Sequence, residues 1–213
     1  MRYQDRQDAG RRLAEALVGY ARRDVVVLAL PRGGVILGAE VAARLGVPLD
    51  LVIPRKVGHP HYPEYGIAAV AEAGEVVANE DEVARVDPGW FERAVAHERE
   101  EAVRRRRLYL GGREPLDLAG KTAIVVDDGI ATGLTMEAAV RDVRGRGASE
   151  VVVAVPVAPA DAVARLKRQV DAVVALQAPV DYAGAVGAYY IEFRQVSDAE
   201  VTAALEGAPI RPA

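Results

Sequence analysis

The sequence predicts an α/β fold, a parallel sheet with helices on its faces, carrying a smaller inserted subdomain and a distinct C-terminal region. Three observations lead to it. Apolar runs without polar alternation, at residues 25–30, 123–126 and 151–155, suit strands covered on both faces. Stretches of helical periodicity fall between such runs, and a strand–helix–strand order implies parallel, Rossmann-like pairing through right-handed crossovers. Between Arg55 and Gly120 the alternation stops, which marks an insertion.

Taken in order, residues 8–21 predict a helix, because Leu13, Ala16, Leu17 and Tyr20 share one face. Residues 25–30 are the first strong strand. Pro31-Arg32-Gly33-Gly34 then turns the chain into a helix over 35–45, which stops at Gly46, a residue suited to a helix C-terminus. A second strand occupies 49–53. Inside the insertion, 66–72 and 75–79 read as strands joined at Ala73-Gly74, and a charged helix spans 90–110 before Gly111-Gly112. The alternation resumes with a strand at 123–127 and a helix on which Met136, Ala139, Val140 and Val143 recur. A strand at 151–155, a helix at 160–169 and a strand at 172–176 complete it.

The expected organisation is a core of residues 1–55 and 120–178, an insertion of 56–119 and a hood-like region of 179–213. Tyr182, Tyr189, Tyr190 and Phe193 gather in that last region although the chain is only 5% aromatic. No internal repeat, heptad pattern or low-complexity tract is present.

Composition excludes several classes of function. The 213 residues, 51% of them hydrophobic, suffice for a substantial core. A net charge of −4 argues against nonspecific nucleic-acid or membrane-surface binding, which draws on a basic excess. The one basic cluster, the four arginines at 104–107, follows Glu98, Glu100 and Glu101 and reads as a solvated helix face with Glu–Arg pairs one turn apart. The absence of cysteine rules out disulfides, thiolate catalysis and cysteine-ligated metals. His59, His61 and His97 lack the helical pair spacing of a zinc site. No apolar run has the length of a signal core or a membrane span, so a cytoplasmic protein without a membrane partner is expected.

The chemistry concentrates at residues 121–136, KTAIVVDDGIATGLTM. An apolar strand ends there in two carboxylates and passes through a glycine-punctuated loop into a helix. Gly129 and Gly133 allow tight turns, so backbone N–H groups can approach a phosphate at the positive end of the helix. Thr132 and Thr135 add hydroxyl donors. Asp127 and Asp128 sit where they can accept from vicinal sugar hydroxyls or hold a hydrated Mg²⁺. In a parallel sheet Pro31-Arg32-Gly33-Gly34 lies at the same carboxyl edge. Its glycines expose amides, and Arg32 supplies a planar cationic fork for diphosphate oxygens.

The run of apolar strand, acidic pair and Thr-Gly-x-Thr resembles the phosphoribosyl-diphosphate (PRPP) motif of the type I phosphoribosyltransferases. Leu30-Pro31-Arg32-Gly33-Gly34 is similar to the pyrophosphate loop of that family, a loop that often carries a cis non-proline peptide, and particularly to its Arg-Gly-Gly form. The resemblance implies that Asp127, Asp128, Gly129, Ile130, Ala131, Thr132, Gly133, Leu134 and Thr135 bind PRPP, that Asp127 and Asp128 also hold Mg²⁺, and that Arg32, Gly33 and Gly34 bind pyrophosphate.

Arg55-Lys56-Val57-Gly58 resembles the opening of the mobile loop of adenine phosphoribosyltransferases, and Glu64-Tyr65-Gly66 a later part of that loop, which implies catalytic roles for Lys56 and Glu64 and closure of the insertion over the site. Val186-Gly187 with Tyr190 to Arg194 is similar to the hood of the hypoxanthine-guanine enzymes, which implies base stacking by Tyr189, Tyr190 and Phe193. Ala131 departs from those enzymes, which carry an aspartate there. The implied substrates are PRPP and a nitrogenous base, with no nucleic acid; a homo-oligomer is left open. A non-catalytic PRPP or nucleotide sensor of the same fold is the competing reading.

Overall fold

Each central strand divides its side chains between two cores, and this division sets the layers of the molecule. The computed structural model describes residues 2–207. The chain runs through α1 (Arg6–Ala16), β1 (Val25–Ala29), α2 (Gly33–Leu45) and β2 (Leu49–Leu51). It then enters the insertion, with β3 (Arg55–His59), β4 (Tyr62–Val70), β5 (Val77–Ala78), α3 (Glu80–Val83) and α4 (Pro88–Leu110). It returns through β6 (Thr122–Val126), α5 (Leu134–Gly145), β7 (Glu150–Val157), α6 (Ala160–Leu166) and β8 (Ala172–Gln177), and ends in α7 (Asp198–Glu206).

The five core strands form one parallel sheet in the order β2-β1-β6-β7-β8. Val25, Val27 and Ala29 enter the core beneath α1, α2 and α7. Val26, Leu28 and Leu30 enter the opposite core beneath α5 and α6. Residues buried on both faces explain the unbroken apolar runs; each fully buried Leu or Val contributes roughly 1.5–3 kcal/mol. The chain leaves β1 toward β2 on one side and later returns to β6 on the other. The carboxyl ends of β1 and β6 therefore flank a topological switch point, the place where open α/β sheets bind ligands.

The α2 helix ends as expected at Gly46, in the left-handed conformation (φ 69°), and α4 ends likewise at Gly111 (φ 59°). Several elements differ from expectation, among them the short helix α3, which is not one of the expected elements, and β2, which ends at Leu51. The first helix stops at Ala16 and passes into a 3₁₀ turn at Val18–Tyr20, although Leu13 and Leu17 are still fully buried. The insertion has an additional strand, β3, paired antiparallel with β4, which itself begins four residues earlier than expected. Gly58, Pro60, Pro63 and Gly66 interrupt the alternation that would have revealed this hairpin. The α7 helix is also additional to the expected elements, although its Ser197–Glu200 capping box is a legible start signal.

Candidate functional site

The two loops at the switch point touch directly. The Leu30 amide donates to the Val126 carbonyl (2.9 Å), tying the loop after β1 to the end of β6. The Pro31–Arg32 peptide is cis. A Cβ on Gly34 would lie 2.7 Å from the Val126 carbonyl oxygen and 2.9 Å from Asp127 Cα. On Gly33 it would lie 1.9 Å from Asp128 Oδ2. The paired glycines thus let the α2 N-terminus press against the acidic pair: a Cβ at Gly34 would meet fixed backbone, and one at Gly33 the Asp128 carboxylate.

Both carboxylates are already engaged. Asp127 Oδ1 accepts from the Asp128 amide (2.8 Å), and Arg6 Nε donates to Asp128 Oδ2 (2.8 Å). The Arg6 guanidinium also donates to the Arg194 carbonyl (2.7 Å) and lies 3.8 Å over the Phe193 ring. Burial, and then repulsion from Asp128, holds Asp127 well above the usual carboxylate range. Burial raises Asp128 too, with Arg6 opposing it. The Tyr190 hydroxyl donates to the Asp128 carbonyl (2.6 Å).

The loop from Gly129 to Thr135 rises from this pair into α5. Gly133 (φ 94°) is the N-cap, and no side chain caps the helix, so Thr132 does not consume its first amides. Ile130 differs from its expected role: its amide donates to the Val157 carbonyl (2.9 Å) and its side chain is buried, because this residue closes the core beneath the loop. The Ile130 amide is therefore not among the donors left for a phosphate. Arg165 of α6 donates to the Thr132 carbonyl (2.8 Å), placing beside the loop a cation that sequence reasoning missed.

Arg32, the proposed diphosphate contact, faces the C-terminal helix. Its Nη1 lies 3.7 Å from Asp198 Oδ1, and the same oxygen accepts from the Tyr109 hydroxyl at 2.7 Å. Burial, followed by the bond to Asp198, pushes the Tyr109 phenol up to about 12. Arg6, Tyr109 and Asp198 carry no local motif.

Lys56 and Glu64 lie on the β3–β4 hairpin and bond to each other. The Lys56 ammonium donates to the Glu64 carbonyl (2.8 Å) and lies 3.7 Å from its carboxylate, which is fully exposed. Neither is bonded to the acidic pair or to Arg32. The aromatic residues pack mainly among themselves. Tyr189 stacks on Tyr182, with centroids 5.5 Å apart, and accepts from the Ala183 amide. Tyr190 is 3% exposed, with its ring against Tyr3 and Phe193. It is a buried support of the acidic loop rather than an open stacking surface, because the N-terminal segment bridges to it at Tyr3. One face of Phe193 carries Arg6.

A parallel sheet whose switch point joins a glycine-rich cationic loop to an acidic pair and an uncapped helix N-terminus defines a phosphosugar-binding α/β protein. The chain belongs to the phosphoribosyl transferase domain family, which it matches over residues 2–192. A protein from two strains of Mycobacterium tuberculosis, provisionally named a phosphoribosyl transferase, is 43% identical over 208 residues. That match covers 97% of this chain and 47% of the mycobacterial protein, so the chain spans about half the length of these relatives. Among solved structures, TT1426 from Thermus thermophilus is 47% identical with a TM-score of 0.81, covering 98% of this chain and all of that one. No helix among the described residues is long and apolar enough to cross a membrane.

Proposed function

We propose that the chain transfers the 5-phosphoribosyl group from PRPP to a nitrogenous base and releases pyrophosphate. The packing of Gly33 and Gly34 against Asp127 and Asp128 carries this reading, since the glycine loop and the acidic pair then lie within the reach of one ligand. The amides and hydroxyls from Ala131 to Thr135 would hold the 5'-phosphate at the positive end of α5. Asp127 and Asp128 would accept from the ribose hydroxyls, and Arg32 with the Gly33 and Gly34 amides would take the departing diphosphate as the ribose acquires oxocarbenium character. Movement of the β3–β4 hairpin would bring Lys56 and Glu64 toward the leaving group and exclude water.

Two carboxylates with hard oxygen donors fit a Mg²⁺ ion, which keeps several waters of its own. No cluster of three or more acidic or histidine ligands occurs among the described residues, so the remaining shell would come from water and ligand oxygens. Bound there, the ion would neutralise charge on the diphosphate. Ala131 offers the base no carboxylate, which leaves acceptor recognition to the C-terminal region.

Calorimetric titration of PRPP with Mg²⁺ tests the reading. The Asp127→Asn, Asp128→Asn double variant should fold and bind at least about tenfold more weakly, since a hydrogen bond to a charged acceptor is worth about 1.5–3 kcal/mol. Unchanged affinity would remove the ribose role. Binding with no pyrophosphate release across a panel of bases would favour the sensor reading.

A further inference from the structure

The charges proposed to hold PRPP are both satisfied from within the chain. Asp128 carries Arg6, and Arg32 faces Asp198. The two contacts differ in strength. The first is a 2.8 Å bond between largely buried groups. The second spans 3.7 Å, beyond hydrogen-bond reach, with side chains 31% and 51% exposed. We propose that Asp198 is a positioning residue for Arg32 and an internal competitor of the diphosphate: it parks the guanidinium at the edge of the site and yields it when the ligand enters. This rests on the reading of Arg32 as a diphosphate contact.

The geometry supports competition rather than permanent support. Asp198 is held in place, because its Oδ1 accepts from Tyr109 at 2.7 Å and its backbone starts α7, which is closed by the Ser197–Glu200 capping box. Val201 and Leu205 bury that helix against the core. The carboxylate therefore cannot follow Arg32 toward a ligand, and it repels an approaching anion. No other ion pair of Arg32 occurs among the described residues. An exposed pair of this kind shifts an equilibrium by only about two- to fivefold, weak enough for a polyanion with bidentate geometry to displace. Tyr109 belongs to the insertion helix and Asp198 to the C-terminal helix, so the parking contact joins three parts of the chain that flank the site.

The alternative is that Asp198 only favours the α7 N-terminus, as an acidic first-turn residue does. Asp198→Asn separates the two, since it keeps an acceptor for Tyr109 and removes the charge. Calorimetry with inorganic pyrophosphate should give roughly two- to fivefold tighter binding to Asp198→Asn and Asp198→Ala than to the native protein. Ribose 5-phosphate, which has no diphosphate to meet Arg32, should bind all three equally. In an Arg32→Ala background the gain should largely disappear. Native-like or weaker pyrophosphate binding in Asp198→Asn overturns the proposal, as does an undiminished gain without Arg32. If pyrophosphate binds neither native protein nor variant, the diphosphate site and the proposed function fall together. Binding to the native protein without a gain sinks this inference alone.

Discussion

Gly34 shows most directly how a single residue shapes the site. Its missing Cβ is the space occupied by the Val126 carbonyl and the Asp127 backbone, so Gly34→Ala must push the α2 N-terminus off the acidic pair. Overpacking of this kind costs about 1–3 kcal/mol, which urea unfolding would register, and PRPP binding should be lost with it. Gly46→Ala, with no atom within 4 Å of the added Cβ, is the control: it strains only a left-handed backbone and leaves the site intact. The motif reveals the acidic pair and both glycines. It does not reveal Arg6, because Arg6 reaches Asp128 across 122 residues of sequence and has no neighbour that marks it.

Among the elements, α4 departs from its sequence pattern. Its arginines suggest one solvated face, and Arg104 and Arg105 do pair with Glu101 one turn back. These pairs lower the Glu101 carboxyl to about 2, below its ordinary 4.5. A lowered carboxylate stabilises the fold above its unfolded value and loses that contribution as pH falls through its folded value. Glu101→Gln should therefore be less stable than the native protein at pH 7, by under about 1 kcal/mol given the exposure of Arg104, with the gap closing between about pH 4.5 and 2. Thermal melts across that range check the sign; a constant gap would mean that the pairs do not set the effect. Arg106 breaks the expected pattern because the helical repeat puts it on the buried face with Ala102 and Tyr109, while Arg104 and Arg107 are exposed.

Across the molecule as a whole, that inward arginine ties the insertion to the sheet. Arg106 donates to Glu72 (2.7 and 2.8 Å), to Asp50 (3.2 Å) and to the Leu51 carbonyl (2.6 Å). Asp50 is fully buried and also accepts from the Leu116 amide (2.8 Å). Removing one partner of a buried pair leaves an uncompensated charge, so Arg106→Ala should cost about 3–5 kcal/mol in denaturant unfolding, and Arg104→Ala, at an exposed pair, far less. Equal small losses would show that the insertion does not depend on this clamp. With its base held so firmly, the closure proposed for the insertion would fall to the β3–β4 tip, where the residues from His61 to Tyr65 are exposed.

The parallel α/β core, the two loops of the candidate site and the family resemblance are all legible in the linear chain. Those features are written in contiguous residues: apolar runs for doubly covered strands, glycines where the backbone turns, carboxylates at a strand end. Which charges meet is settled only by the packing of the folded molecule. Tyr109 and Asp198 are 89 positions apart, and Arg106 and Asp50 are 56 apart. The same packing buries Tyr190 beneath the acidic loop and makes Ile130 close the core. Periodicity reports only the face on which a side chain lies. The partner it finds there depends on how separate elements pack, and for a polar group leaving water that partner sets the energy.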